Sequence, residues 1–250
     1  MSSFLDHFSG IAASYASYRP RYPAALFAWL ADLAPDRKLA WDCGTGNGQA
    51  AEGLATYFGD VVATDPSVAQ LTNASRVNRV AYLAMTAEQA ALAGDAVSLV
   101  TVAQALHWFK REEFYREAGR VLRPGGVLAV WSYPLAVIDP HVDALLGRFH
   151  TETVGPYWPT ERSLVDSGYQ GIELPYPELS VPAFEMEAEW DLHQLGGYLT
   201  TWSAVSRYRA QRGEDPVPAI MGALGEVWGN PDDKRRIRWP LALRVARKVD

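Results

Sequence analysis

An apolar run that stops at three closely spaced glycines constrains this chain more than any other feature. Residues 41–49 read WDCGTGNGQ, with Gly44, Gly46 and Gly48 on alternate positions and Asp42 two before the first. The preceding stretch LAWDC (39–43) reads as a short buried strand, and Gln49 to Phe58 reads as a helix. Glycine accepts a positive φ and lets a neighbour approach the main chain. A strand-to-helix turn of this composition is either a bare tight turn or a place where a ligand meets backbone directly.

The surroundings repeat the strand-then-helix rhythm. Pro23 to Leu33 predicts a helix, with proline at its first position and Leu26, Trp29, Leu30 and Leu33 on one face. VVATD (61–65), VAYLAM (80–85), AVSLVTVAQ (96–104) and GVLAVWSY (126–133) are further strand candidates, and Lys110 to Leu122 is a further helix. RPGG (123–126) predicts the turn before the fifth strand. Strands that are continuous apolar runs, separated by helices, predict an α/β fold with a doubly wound, mostly parallel sheet covered on both faces. Ligands in such sheets sit beyond the carboxyl ends of the strands, which is where the glycines fall.

The ligand class follows from spacing. A dinucleotide loop reads G-x-G-x-x-G, but the position it needs is Gln49, and the loop here is D-x-G-x-G-x-G. A nicotinamide-dependent oxidoreductase is thereby disfavoured. Asp65 ends the second strand, where a carboxylate can accept two hydrogen bonds from a ribose diol. Its plainer role is a helix-start aspartate ahead of Ser67.

D-x-G-x-G-x-G (42–48), Asp65, A-E (87–88), A-Q-A-L-H-W-F (103–109) and L-R-P-G-G (122–126) together resemble the ordered motifs of class I S-adenosylmethionine-dependent methyltransferases. The phrase A-Q-A-L-H-W-F and the opening F-S-x-x-A-x-x-Y-x-x-Y-R-P-x-Y-P (8–23) are similar to the small-molecule branch that includes the trans-aconitate methyltransferases. The resemblance implies a Rossmann-like seven-stranded sheet with an antiparallel last strand, and a helical and loop substrate cover inserted in the carboxyl-terminal half. It implies S-adenosyl-L-methionine as cofactor, S-adenosyl-L-homocysteine as product, and a small-molecule acceptor, with a carboxylate among the candidates. Gly44, Gly46 and Gly48 would lie against the methionine part of the cofactor, and Asp42 would hold its ammonium group. Asp65, with Pro66 beside it, would bind the ribose; Ala87 and Glu88 would meet the adenine; Gln104 and Ala105 would stand near the methyl group. A methyltransferase-like protein that binds the cofactor without turnover is the other reading to carry.

Tyr15, Tyr18, Arg19 and Tyr22 cluster ahead of the first helix. They predict that residues 1–22 are either an aromatic cap packed on the sheet or a lid over the cofactor, with Tyr15 and Arg19 at the cofactor. His107 is the candidate catalytic residue, as a general base with an ordinary pKa near 6.5; contact with substrate or packing on Trp108 are its alternatives. Cys43 reads as a buried small hydrophobe.

Beyond the core at 23–133, the cover spans 134–235. Asp139 to Thr153 predicts a helix, AFEMEAEW (183–190) a strand with one wet face, Leu192 to Arg212 a helix, and Pro218 to Trp228 another. Residues 236–250 are expected to supply the last sheet strand, against which Pro240 stands as an obstacle because it cannot donate to a ladder. Candidate acceptor contacts are Trp108, Tyr157, Trp158, Arg162, Trp202 and Arg207.

Composition narrows the rest. The formal charge is −6 over 250 residues, and a nucleic-acid surface would need a basic patch. One cysteine permits no internal disulfide. No segment reads as a signal peptide or membrane span, so a cytoplasmic protein without metal is the expectation. Oligomeric state leaves no trace in the sequence.

Overall fold

The computed structural model describes residues 18–249. The elements are α1 (Ala24–Leu33), β1 (Leu39–Cys43), α2 (Gln49–Leu54), β2 (Asp60–Asp65), α3 (Val68–Thr72), β3 (Val80–Ala84), β4 (Val97–Ala103), α4 (Arg111–Val121) and β5 (Leu122–Ser132). They continue with α5 (Pro140–Arg148), α6 (Arg162–Asp166), β6 (Glu185–Trp190), α7 (Leu192–Thr200), α8 (Ser203–Arg212), α9 (Val217–Trp228), β7 (Arg235–Pro240) and β8 (Ala242–Arg247).

Among the described residues the main sheet has six strands in the order β3-β2-β1-β4-β5-β8, with β8 antiparallel to β5 and the other pairs parallel. Side chains alternate across it. In β5, Leu128 and Val130 join Trp41, Val100, Phe114 and Tyr169 on one face, while Val127, Ala129 and Trp131 join Leu26, Phe27 and Leu54 on the other. Both faces are covered by apolar side chains, as the unbroken apolar strands require.

The sheet corrects the expected seven strands. The place of a seventh, outside β8, holds only a short extended stretch: Glu178 bridges Ala246, the Leu179 amide donates to the Val245 carbonyl at 2.8 Å, and the Arg247 amide donates to Pro177 O at 3.1 Å. Pro175, Pro177 and Pro182 stand in or beside this stretch. Each lacks an N–H, so a longer ladder cannot form.

The expected last strand over 236–250 also divides in two. Residues 235–240 pair with β6 in a separate two-stranded antiparallel sheet, and only β8 joins the main one. The division follows side-chain chemistry. Met186, Ile237 and Trp239 are buried on the inner face, while outside Arg236 pairs with Glu187 and Arg238 lies 3.8 Å from Glu185. Pro240 ends the small sheet, Leu241 donates to Phe184 O at 2.9 Å, and β8 then starts afresh.

Smaller differences have local causes. The helix expected over 192–212 is two helices, α7 and α8, broken at Thr201 and Trp202, where the Thr201 hydroxyl turns back to the Tyr198 carbonyl at 2.6 Å. The glycine pair inside α7 is a packing device: a Cβ on Gly197 would collide with the Tyr18 ring and one on Gly196 with the Met221 side chain. The helix expected over 139–153 is α5 followed by a π turn over 149–153. RPGG does not interrupt the chain before β5; it lies within that strand, marked by a register shift opposite Val97 and a φ of +74° at Gly125. A third apolar cluster, built from Tyr133, Leu146, Phe149, Met186, Leu195, Tyr198, Trp202, Trp228 and Trp239, forms the cover over the carboxyl ends of the strands.

Candidate active site

The loop after β1 is held from both sides by aspartates. Asp42 is fully buried beneath it, accepting from the Thr45 hydroxyl at 2.5 Å and the Thr101 hydroxyl at 2.8 Å. Burial pushes its carboxyl up to about 6, with the charge of Asp65 adding to the rise and the two hydroxyls opposing it. Above the loop, Asp65 accepts from the amide of Gly46 at 2.9 Å and from the amide of Ser67 at 2.8 Å. Asp42 is thus placed as an anchor under the loop, with both oxygens engaged by hydroxyls, and not at its surface where an ammonium group was expected.

The three glycines have different reasons to be glycine. All have positive φ: +70° at Gly44, +56° at Gly46 and +88° at Gly48. A Cβ on Gly44 would stand 2.5 Å from Ala105 Cβ and 3.0 Å from Phe109 Cζ, and one on Gly48 would strike the Tyr82 hydroxyl. Those two are bare because the protein packs against them. At Gly46, among the described residues, only Gln70 Oε1 comes as near as 4.0 Å, so they leave open space against this stretch of main chain. Gln70 Oε1 is itself buried without a hydrogen-bond partner among the described residues. Open backbone, a carboxylate at the β2 end and an orphaned buried acceptor are the donor and acceptor set a nucleoside with an ammonium group requires. The residues present therefore fit the expected cofactor. Gln70, in α3, was not singled out from the sequence; only its three-residue spacing from Ser67 could have suggested it.

Ala87 and Ala105 are buried nearby, and the Glu88 carboxylate accepts the Lys110 amide at 3.0 Å ahead of α4. Pro66 sits between Asp65 and the Ser67 cap of α3. Gln104 adopts φ +56°, which a side-chain-bearing residue rarely does. Its side-chain amide donates to Tyr133 O at 3.2 Å, and its own N–H to Trp131 O at 2.9 Å. Strain of this kind gathers at functional sites.

Beyond Gln104, under the cover, lies a chamber of about 80 Å³. Its wall contains Arg19, Gln104, His107, Trp108, Tyr133, Trp158, Arg162, Tyr198 and Trp202, and among the described residues no carboxylate side chain lines it. Arg19 donates to the Tyr133 hydroxyl at 3.1 Å and to Thr201 O at 3.3 Å, and lies over the Tyr198 ring. Arg162 lies over the Trp158 ring, 4.5 Å from its centroid, and donates to Asp166 at 2.8 Å. Of the candidate acceptor contacts, Trp108, Trp158, Arg162 and Trp202 converge here. Tyr157 does not; it packs on Tyr208, and Arg207 in α8 is outside the wall. Arg19, expected at the cofactor, stands in the chamber wall. Tyr15 lies outside the described residues, as does most of the expected lid.

His107 occupies a 3₁₀ turn after β4, with Nδ1 2.9 Å from the Tyr169 hydroxyl. Burial, with help from the charge of Arg162, pushes its pKa down to about 3. The ring is therefore neutral at neutral pH, and it is placed to touch what the chamber holds. Cys43 is fully buried and burial pushes its thiol up, in keeping with packing alone. Among the described residues no group of three or more His, Cys, Asp or Glu could hold a metal ion, and no helix is long and apolar enough to cross a membrane.

Comparison with known proteins places this geometry. Residues 41–130 match the family described as "Methyltransferase domain". A Dictyostelium discoideum protein, named as a methyltransferase without an assigned acceptor, is 31% identical over 99% of this chain and 97% of its own length. A Saccharomyces cerevisiae protein named as a probable S-adenosylmethionine-dependent methyltransferase is 30% identical over 49% of this chain and 45% of its own. A solved structure from Anaeromyxobacter dehalogenans, described as a type II methyltransferase, superposes with a TM-score of 0.87 at 44% identity, covering 93% of this chain and 99% of that one.

Proposed function

We propose that this chain, which belongs to the class I S-adenosylmethionine-dependent methyltransferases, methylates a small molecule through a carboxylate oxygen. The observation that supports the finer reading is the chamber wall: two guanidinium groups, Arg19 and Arg162, and, among the described residues, no acidic side chain. Guanidinium is the side chain best matched to a carboxylate. The surrounding tryptophans and tyrosines strip water from the pair and strengthen it.

When bound, S-adenosylmethionine supplies a methyl group already activated on a positively charged sulfur. Gly46 would offer it open main chain, Asp65 would hold its ribose, Gln70 Oε1 would accept from one of its donors, and the Ala87 backbone would meet its adenine. Gly44 and Gly48 set the loop's shape from inside, and Asp42 holds its underside. Gln104 and Ala105 form the floor between the two compartments. Arg19 and Arg162 orient the acceptor, and the aromatic wall excludes water, so positioning does most of the work. A carboxylate has no proton to lose before it reacts, and the chamber offers no strong base to take one.

The test is a panel of small carboxylic acids, phenols and amines incubated with methyl-labelled cofactor. Acids are expected to be labelled, with Arg162→Ala raising the acceptor KM at least tenfold. Labelling of phenols or amines and not of acids would refute the acceptor class.

A further inference from the structure

Tyr169 is a buried polar side chain that neither the sequence motifs nor the cofactor explains. It is fully buried, and it adopts φ +60° although it is not glycine. The strained backbone is held deliberately. The Tyr169 amide donates to Leu164 O at 2.8 Å, the Arg244 guanidinium donates to Tyr169 O at 2.7 Å and to Ile172 O at 2.5 Å, and Arg244 is itself paired with Glu178. Gly168 beside it has φ +62°, and a Cβ there would stand 2.7 Å from Ala242 Cβ. This bracing turns the ring inward and delivers its hydroxyl to His107 Nδ1 at 2.9 Å.

The contact has a direction. Among the described residues His107 Nδ1 is the one hydrogen-bond partner of this fully buried hydroxyl, so a proton on Nδ1 would leave the phenol's own proton without an acceptor. A phenol with a pKa raised by burial keeps that proton. Nδ1 is then an acceptor, and the proton of the neutral imidazole resides on Nε2. His107 lines the chamber, and with Nδ1 turned to Tyr169 the other ring nitrogen is the one left for it.

We infer that Tyr169 is a positioning residue: its hydroxyl fixes His107 as the neutral, Nε2-protonated form, so that the imidazole donates a hydrogen bond to the acceptor molecule instead of taking a proton from it. The groups facing the imidazole agree with this. Arg162 from α6 lies close enough to disfavour a second positive charge, Trp108 covers the ring at a centroid distance of 4.7 Å, and Tyr169 faces it from the loop after α6. Three donors, Arg19, Arg162 and His107, then converge on one chamber, and the site selects acceptors that arrive with an oxygen lone pair already free. This rests on the chamber being the acceptor site, but the state of the ring can be read without any acceptor.

The experiment is nitrogen NMR of the full chain labelled on histidine, with and without S-adenosylhomocysteine, the His107 signals identified by their loss in His107→Gln. The expected result is an unprotonated Nδ1 and a protonated Nε2 that do not titrate between pH 5 and 8, and collapse of that pattern to a tautomer mixture in Tyr169→Phe. A proton on Nδ1, or titration within that range, overturns the inference. Kinetics give a second arm. Glutamine can place an N–H near the position of Nε2, so His107→Gln is expected to keep at least tenfold more kcat/KM than His107→Ala. Equal losses in the two variants overturn the donor role. If the NMR result holds while no small acid is methylated, the carboxylic-acid reading fails and the tautomer assignment stands.

Discussion

The glycine loop offers a test in which fold and ligand respond to different residues. Gly44 and Gly46 differ by two positions and both have positive φ, so an alanine at either suffers the left-handed penalty of about 1 kcal/mol. Gly46→Ala meets nothing further, because only Gln70 Oε1 approaches, at 4.0 Å. Its unfolding free energy is expected to fall by about 1 kcal/mol, a Tm decrease of roughly 2–4 °C for a domain of this size. Gly44→Ala must also displace Ala105, whose Cβ would be 2.5 Å away on a rigid stretch of backbone. Overpacking of that kind costs about 1–3 kcal/mol more. Ligand binding is expected to rank the two in the opposite sense relative to stability. The methyl group of Gly46→Ala enters the space proposed for the cofactor, weakening S-adenosylhomocysteine at least tenfold, or about 1.4 kcal/mol, in a protein that is nearly as stable as its parent. Urea unfolding and calorimetric titration on the same samples measure both. Wild-type affinity in Gly46→Ala would refute the assignment of that open main chain to the cofactor, whatever the stabilities turn out to be.

Other expectations are briefer. Asp65→Ala should weaken S-adenosylhomocysteine by about 1–3 kcal/mol, the scale of lost charge-assisted hydrogen bonds, read by the same calorimetry. Asp42 has a folded-state pKa raised to about 6 from 3.8, so its contribution to stability is fully present below about pH 4 and is lost as pH rises through 6; Asp42→Asn should flatten that part of a denaturation-against-pH curve. His107 and His150 are displaced the other way, to about 3 and about 4. Their contribution is present above pH 6.5 and is lost as pH falls through those values, and His150→Gln should make the acid limb shallower. Gly197→Ala should lower stability by displacing the Tyr18 ring while leaving Gly46 and its surroundings untouched, so calorimetry should return parental cofactor affinity.

The cofactor half was legible because its signals are local. Apolar runs, a glycine cluster and an aspartate at a strand end all lie within 27 residues, from Leu39 to Asp65, and one strand–helix–strand unit brings them together. What spacing could not separate was the reason for each glycine, since Gly44 and Gly48 answer to Ala105 and Tyr82, far along the chain. The anchoring of Asp42 was hidden for a related reason: its two hydroxyl partners, Thr45 and Thr101, come from the loop after β1 and from β4. The acceptor half depends on long-range packing. Spacing put Trp202 on an apolar helix face, and only the packing of the cover brings it to the chamber wall, while Arg207 in α8 stays outside that wall. Tyr169 gave no sequence signal beyond its two neighbouring glycines; its part depends on Arg244, 75 residues later. The missing seventh strand was written in the prolines at 175, 177 and 182, whose consequence appears only once β8 is seen beside them.

Those prolines also decide how the sheet meets other chains. A row of unpaired amides and carbonyls invites any extended peptide to dock, and the β8 border is blocked by a stretch that cannot pass the pairing on. The opposite border, β3, ends in a half-open run with Leu83 41% exposed. Among the described residues, intermolecular strand addition to the main sheet, during overexpression or on heating, therefore has the β3 border to grow from.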